Sequence, residues 1–104
     1  MIRSLALPLL LVLTLAACAS GPGALLDPAL AQRRGAVEVA VKSAHPGILE
    51  EIDAGGGPAL SRALDAAGVP PEDRPARLLQ LKGDLGLYRA NPGALVAALV
   101  LYGA

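Results

Sequence analysis

Aromatic side chains are nearly missing from this chain of 104 residues, which has no Trp, no Phe and only two Tyr, Tyr88 and Tyr102. Its core must therefore pack Leu, Val, Ile and Ala, and there is no set of rings to stack on a sugar or a base. The single cysteine excludes an internal disulfide, and with only one histidine beside it no zinc site of Cys/His type can be assembled. An excess of charge is lacking too, because nine Lys and Arg face nine Asp and Glu. That balance removes the general drive toward phosphate and argues against a nucleic-acid partner. Low charge with 54% hydrophobic residues also excludes a solvated, disordered tail. At this length the chain has room for one small domain.

What is present is concentrated at the start. Met1-Ile2-Arg3 supplies one positive charge, Leu5 to Leu15 is almost wholly apolar, and Ala16-Ala17 leads to Cys18. A charged start, an apolar stretch of about 7–15 residues and a small-residue end are the parts of a secretory signal peptide. A permanent span needs roughly 20 apolar residues, and here Ser20-Gly21-Pro22-Gly23 ends the run. Leu15-Ala16-Ala17-Cys18 resembles the lipobox of bacterial lipoprotein precursors. The residue types suit the chemistry: a thiolate can take a diacylglyceryl group as a thioether, and small neighbours let the backbone enter a peptidase cleft. The resemblance implies cleavage between Ala17 and Cys18, a lipid on Cys18 and an acyl amide, of palmitate type, on its freed amino group. The competing reading of Cys18 is a buried, inert thiol in an apolar helix. Ala19 stands where an Asp would mark inner-membrane retention in the enterobacterial pattern. By that resemblance the periplasmic face of the outer membrane is favoured over the inner membrane.

One acyl chain binds a membrane marginally and two signals bind it stably. A residue carrying two or three chains therefore needs no membrane-seeking helix behind it. Removing residues 1–17 as the signal peptide leaves 87 of the 104 residues, without Arg3 among the basic ones. Residues 18–26 hold the lipidated Cys and a Gly-rich tether, Ala19 to Leu26. As a flexible chain that tether keeps the domain roughly 15 Å from the lipid.

The remainder, residues 27–104, predicts an all-α domain, a small bundle of four or five short helices opened by Pro and closed by Gly. Asp27-Pro28 gives a cap and a first-turn Pro, with Leu30 a core candidate and Arg33-Arg34 at the end of that stretch. From Val37 two periods compete: Val37, Val39 and Val41 alternate as in a strand, while Val37, Val41, Ala44 and Ile48 form a helical stripe. No second alternating run exists to pair with a strand, which favours helix. Pro46 opens a helix carrying Ile48, Leu49 and Ile52, and Gly55-Gly56-Gly57 stops it. Pro58 opens another with Leu60, Ala63, Leu64 and Ala67 in register, closed by Gly68. After the Val69-Pro70-Pro71 turn, Asp73 caps a helix running to about Tyr88 along Leu78, Leu81 and Leu85. Gly83 and Gly86 either weaken that helix or permit close packing. Asn91-Pro92 opens a last helix, apolar nearly all round, which reads as the buried centre of the bundle. So small a domain buries a modest share of its surface, a reason to expect a partner or self-association.

Candidate chemistry is sparse, and no catalytic residue, metal site or cofactor is assigned. His45, with Glu50, Glu51 and Asp53 nearby, could act as a base or metal ligand, but a capping or surface histidine explains it equally. The three acids read better as a solvated helix face than as a glycosidase pair. Gly55-Gly56-Gly57-Pro58 lacks the Lys and Ser/Thr of a phosphate loop and reads as a flexible connector. Arg33 and Arg34 could meet anionic head groups or favour the end of their own helix. Asp73, Arg74 and Arg77 could form a salt-bridged patch facing a partner, or a helix start with solvated charges. The two tyrosines are expected at the rim of the core with hydroxyls outward.

Three functions are consistent with this pattern. The first is a non-catalytic lipoprotein, anchored to the membrane through Cys18, that holds or assists another protein of the cell envelope. The second is a helical module binding a lipid or small apolar molecule. The third, a small envelope enzyme using His45 and the neighbouring acids, has the least behind it.

Overall fold

In the computed structural model the described residues are 27–104; the stretches read as signal peptide, lipobox and tether lie outside them. Six helices and one 3-10 turn make up the described chain: α1 (Pro28–Ala44), α2 (Gly47–Ala54), α3 (Pro58–Ala67), a 3-10 turn (Pro71–Asp73), α4 (Arg74–Gly83), α5 (Leu85–Ala90) and α6 (Pro92–Tyr102). The fold is all-α, with no strand among the described residues. The compact unit is Gln32–Ala104. Within it α2 packs against α3, α4 and α5, and α6 packs against α3 and α5.

The ambiguous stretch Val37–Lys42 is helical, inside an α1 that runs unbroken through Arg33-Arg34. Val37 and Val41 are fully buried, whereas Val39 is 70% exposed, so the stripe of period 3.6 rather than the alternation faces the core. Leu30 is not among the core residues. The predicted stripe of α3 holds in full, with Leu60, Ala63, Leu64 and Ala67 all buried. In α2, Ile48, Leu49 and Ile52 are buried, which places that short helix among its three neighbours.

The helix expected from Asp73 to Tyr88 is instead two, α4 and α5, broken at Asp84. Gly83 and Gly86 bracket the break, and each lowers helix propensity locally. Close packing is not their role, because a Cβ added at either would meet nothing within 4 Å. Two backbone bonds hold the corner, Asp84 N–H to the Leu81 carbonyl and Tyr88 N–H to the Asp84 carbonyl, each 3.1 Å. The break allows Leu81 and Tyr88 to reach the core from differently directed helices. The last helix is also less central than its composition suggests. Leu95, Val96 and Leu99 are buried, but Leu101 is 71% exposed.

Helix ends account for much of the remaining structure. Asp27 Oδ1 accepts from Ala29 N–H at 3.0 Å, and Asn91 Oδ1 accepts from Ala94 N–H at 3.3 Å, so two of the three caps read from the sequence are formed. Asp73 makes no such bond. At the end of α3, Val69 N–H donates to the Leu64 carbonyl and Gly68 N–H to the Asp65 carbonyl, both at 3.0 Å. This is a Schellman closure, and it requires the left-handed conformation that Gly68 adopts at φ 76°. Gly68→Ala is therefore expected to cost about 1–2 kcal/mol, the penalty of a Cβ in that region. Gly86→Ala, in open helical space, is expected to gain about 0.5–1 kcal/mol. Urea unfolding midpoints of the two variants should move in opposite directions.

Candidate functional site

The most developed concavity among the described residues lies between α3 and α4, closed at one end by the turn joining α2 to α3. It encloses about 380 Å³. Leu60 and Leu64 of α3 face Leu78 and Leu81 of α4 across it. Pro71 and Pro75 extend the apolar wall, and Ser61 and Arg74 supply its polar side chains. Leu60, Leu64 and Leu81 are also core residues, so the floor of the groove is the outer surface of the packed interior.

Arg74 is fixed at this groove by the chain it follows. Its Nε and Nη2 donate to the Val69 carbonyl at 3.2 and 3.1 Å, and Nη2 also reaches Asp65 Oδ1 at 2.7 Å. The side chain is 25% exposed while Asp65 is largely in solvent. The guanidinium thus ties the start of α4 to the end of α3, with two of its three nitrogens committed. Nη1 has no acceptor among the described residues.

The other arginines also hold helices together. Arg33 Nη1 donates to the Gly103 carbonyl at 3.2 Å, so it meets the C-terminal end of α6 rather than the end of its own helix. Gly103 lies close enough to the end of α3 that a Cβ there would overlap the Ala67 carbonyl oxygen. Arg34 is exposed and pairs with Glu38 at 3.7 Å. The Arg77 guanidinium lies 4.5 Å from the centroid of the Tyr102 ring, and its Nη1 donates to Gln80 Oε1 at 3.0 Å. Asp73, Arg74 and Arg77 are therefore not joined to one another. Asp73 is exposed without a side-chain partner among the described residues, and the two arginines are engaged in different directions.

The acids beside His45 are separated in the same way. Glu51 Oε1 accepts from Leu60 N–H at 3.1 Å, capping α3 from the preceding helix. A Cβ on Gly57 would overlap that carboxylate, so the third glycine of the connector makes room for the cap. The connector is thus a defined turn, with Gly55 left-handed at φ 100° and Gly56 N–H bonded to the Glu51 carbonyl at 2.8 Å. Glu50 and Asp53 are exposed. His45 Nε2 lies 3.4 Å from the Tyr88 carbonyl. No group of three His, Cys, Asp or Glu able to hold a metal occurs among the described residues.

Sequence reasoning did not find the groove or the engaged arginine that lines it. Leu78 and Leu81 were legible as a stripe, but the gap they face exists only once α3 and α4 are juxtaposed. Glu51 as a cap depends on the glycine turn folding it back, which has no local signature. Comparison with family models, with curated proteins and with solved structures returns no match for this chain.

Tyr88 departs from the expected rim position, being 3% exposed, whereas Tyr102 is half-buried beside it. Burial, and then the neighbouring Tyr102 and Asp84, push the Tyr88 phenol from the usual 10.0 up to about 12. The folded state therefore holds this proton more tightly than the unfolded chain. The resulting stability is full below pH 10 and is lost as pH rises toward about 12. Denaturation midpoints measured at pH 9 and 11.5 should fall further for the wild type than for Tyr88→Phe, which has no phenol to ionise.

Proposed function

We propose that this chain is a lipid-anchored envelope protein whose helical domain acts as a non-catalytic module at the periplasmic membrane surface. The observation that carries this reading is Leu15-Ala16-Ala17-Cys18 at the end of an apolar leader, with the helical segment opening at Asp27-Pro28 after a short Gly-rich stretch. No helix among the described residues is long and apolar enough to cross a membrane. Lipid on Cys18 would supply the attachment. The outer membrane is preferred over the inner because Ala19, not Asp, follows the cysteine.

The accessory role rests on how the polar groups are used. Arg33, Arg74 and Glu51 are directed to backbone groups at helix ends. Exposed Leu79, Leu87 and Leu101 leave apolar surface for a protein partner or a second copy. A second reading, a module binding a small apolar ligand, is favoured by the groove between α3 and α4.

The test compares tagged wild type with Cys18→Ser. Intact mass of the wild type should show loss of residues 1–17 and gain of a diacylglyceryl and an acyl group, and the protein should sediment with membranes. Cys18→Ser should lack the lipid. Crosslinking in cells should then capture a partner, or a second copy, with the lipidated form. An unmodified Cys18 in the wild type would overturn the anchor, and a monomer without crosslinks would overturn the accessory role.

A further inference from the structure

We propose that the groove between α3 and α4 binds a single-chain anionic amphiphile, its alkyl chain along Leu78, Pro71 and Pro75 over a floor of the buried Leu60, Leu64 and Leu81, and its acidic head at Arg74 Nη1. This goes beyond the accessory role and does not depend on lipidation of Cys18. Three observations carry it. The first is size: about 380 Å³ is at the small end of ligand sites, fitting one slender apolar body and too little for an amphipathic helix with several anchors. The second is the lining, in which four leucines and two prolines form walls that can neither donate nor accept a hydrogen bond, apart from their backbone. The third is charge complementarity. Among the described residues Arg74 is the one cation lining the groove, it is held by the Val69 carbonyl and Asp65 through Nε and Nη2, and its Nη1 has no acceptor there.

The fixed orientation of the guanidinium matters to the chemistry. Its rotamer is already set by two protein acceptors, so an acidic head meets a donor that loses little further freedom on binding. Asp65 shares the cation but is mostly in water, which leaves part of the positive charge available to a second oxyanion. Ser61 adds a hydroxyl at the exposed face of α3. A neutral alcohol of the same chain length would gain the leucine contacts and lose the charge-assisted bond.

The test uses the full chain carried in amphipol, with leucine methyl groups labelled for NMR, titrated with dodecanoate and with dodecanol. Dodecanoate should shift the methyls of Leu60, Leu64, Leu78 and Leu81 while leaving Leu95 and Leu99 in place. Arg74→Gln should weaken dodecanoate about tenfold, the worth of one charge-assisted hydrogen bond, and leave dodecanol unchanged. Because Arg74 also braces the turn, Ser61→Trp serves as an independent variant: it fills the groove from an exposed position and should weaken both ligands. Unfolding midpoints of both variants establish that they are folded. Shifts spread evenly over all leucines, equal binding of dodecanoate by wild type and Ser61→Trp, or no binding by the wild type would each overturn the proposal.

Discussion

Each α-helix leaves up to four N–H groups at its start and four carbonyls at its end without partners in the helix. A chain cut into six helices within 78 described residues accumulates such groups faster than it accumulates core. The structure answers this constraint with nearly every polar side chain that is not simply in water. Glu51 serves the start of α3, Asn91 the start of α6, Arg33 the end of α6 and Arg74 the carbonyl that follows α3. Asn91 caps its own helix, whereas Glu51, Arg33 and Arg74 are long side chains reaching to the terminus of another. They therefore fix the angles between helices as well as closing their ends, which an aliphatic core without large rings does poorly by shape alone.

The same constraint explains which parts of the fold were legible in the sequence. Pro28, Pro58 and Pro92 open helices and Gly55 and Gly68 close them, because proline's missing donor and glycine's left-handed freedom act locally. The stripe of α3 was legible for a similar reason, since its period is set within one helix. The corner at Asp84 was not. Leu78, Leu81, Leu85 and Tyr88 continue one stripe across it, and the break falls between Gly83 and Gly86, with buried Leu81 before it and buried Tyr88 after it. The choice between strand and helix at Val37–Lys42 turned on the want of a pairing partner, a global property that the local alternation contradicted.

Charged residues were the least legible group. Asp73, Arg74 and Arg77 lie within five residues and read naturally as one patch, and Arg74 and Arg77, three apart, even share a helix face, yet their side chains take different partners. Arg74 turns back to α3 while Arg77 crosses to the ring of Tyr102 on α6. Arg33 and Arg34 diverge likewise, one toward the end of α6 and the other into solvent beside Glu38. Proximity in sequence is thus a poor guide to shared function in short helices, where the direction of each side chain is decided by whichever terminus lies nearest.

The groove is part of the same economy of polar groups. Arg74 braces the loop after α3 and also lines the gap between α3 and α4. Leu60, Leu64 and Leu81 then have one side in the core and one on the gap. A cation placed for backbone reasons at the end of an apolar trough is, to any amphiphile, a head-group site with a tail site attached. Occupation of that trough would cover the exposed part of Leu78 and the two prolines above the buried leucines, and so stabilise the same α3–α4 arrangement that Arg74 braces. Ligand binding and fold integrity would then draw on one set of residues, and a substitution at Arg74 acts on both at once, whereas Ser61 touches the groove without supporting the core.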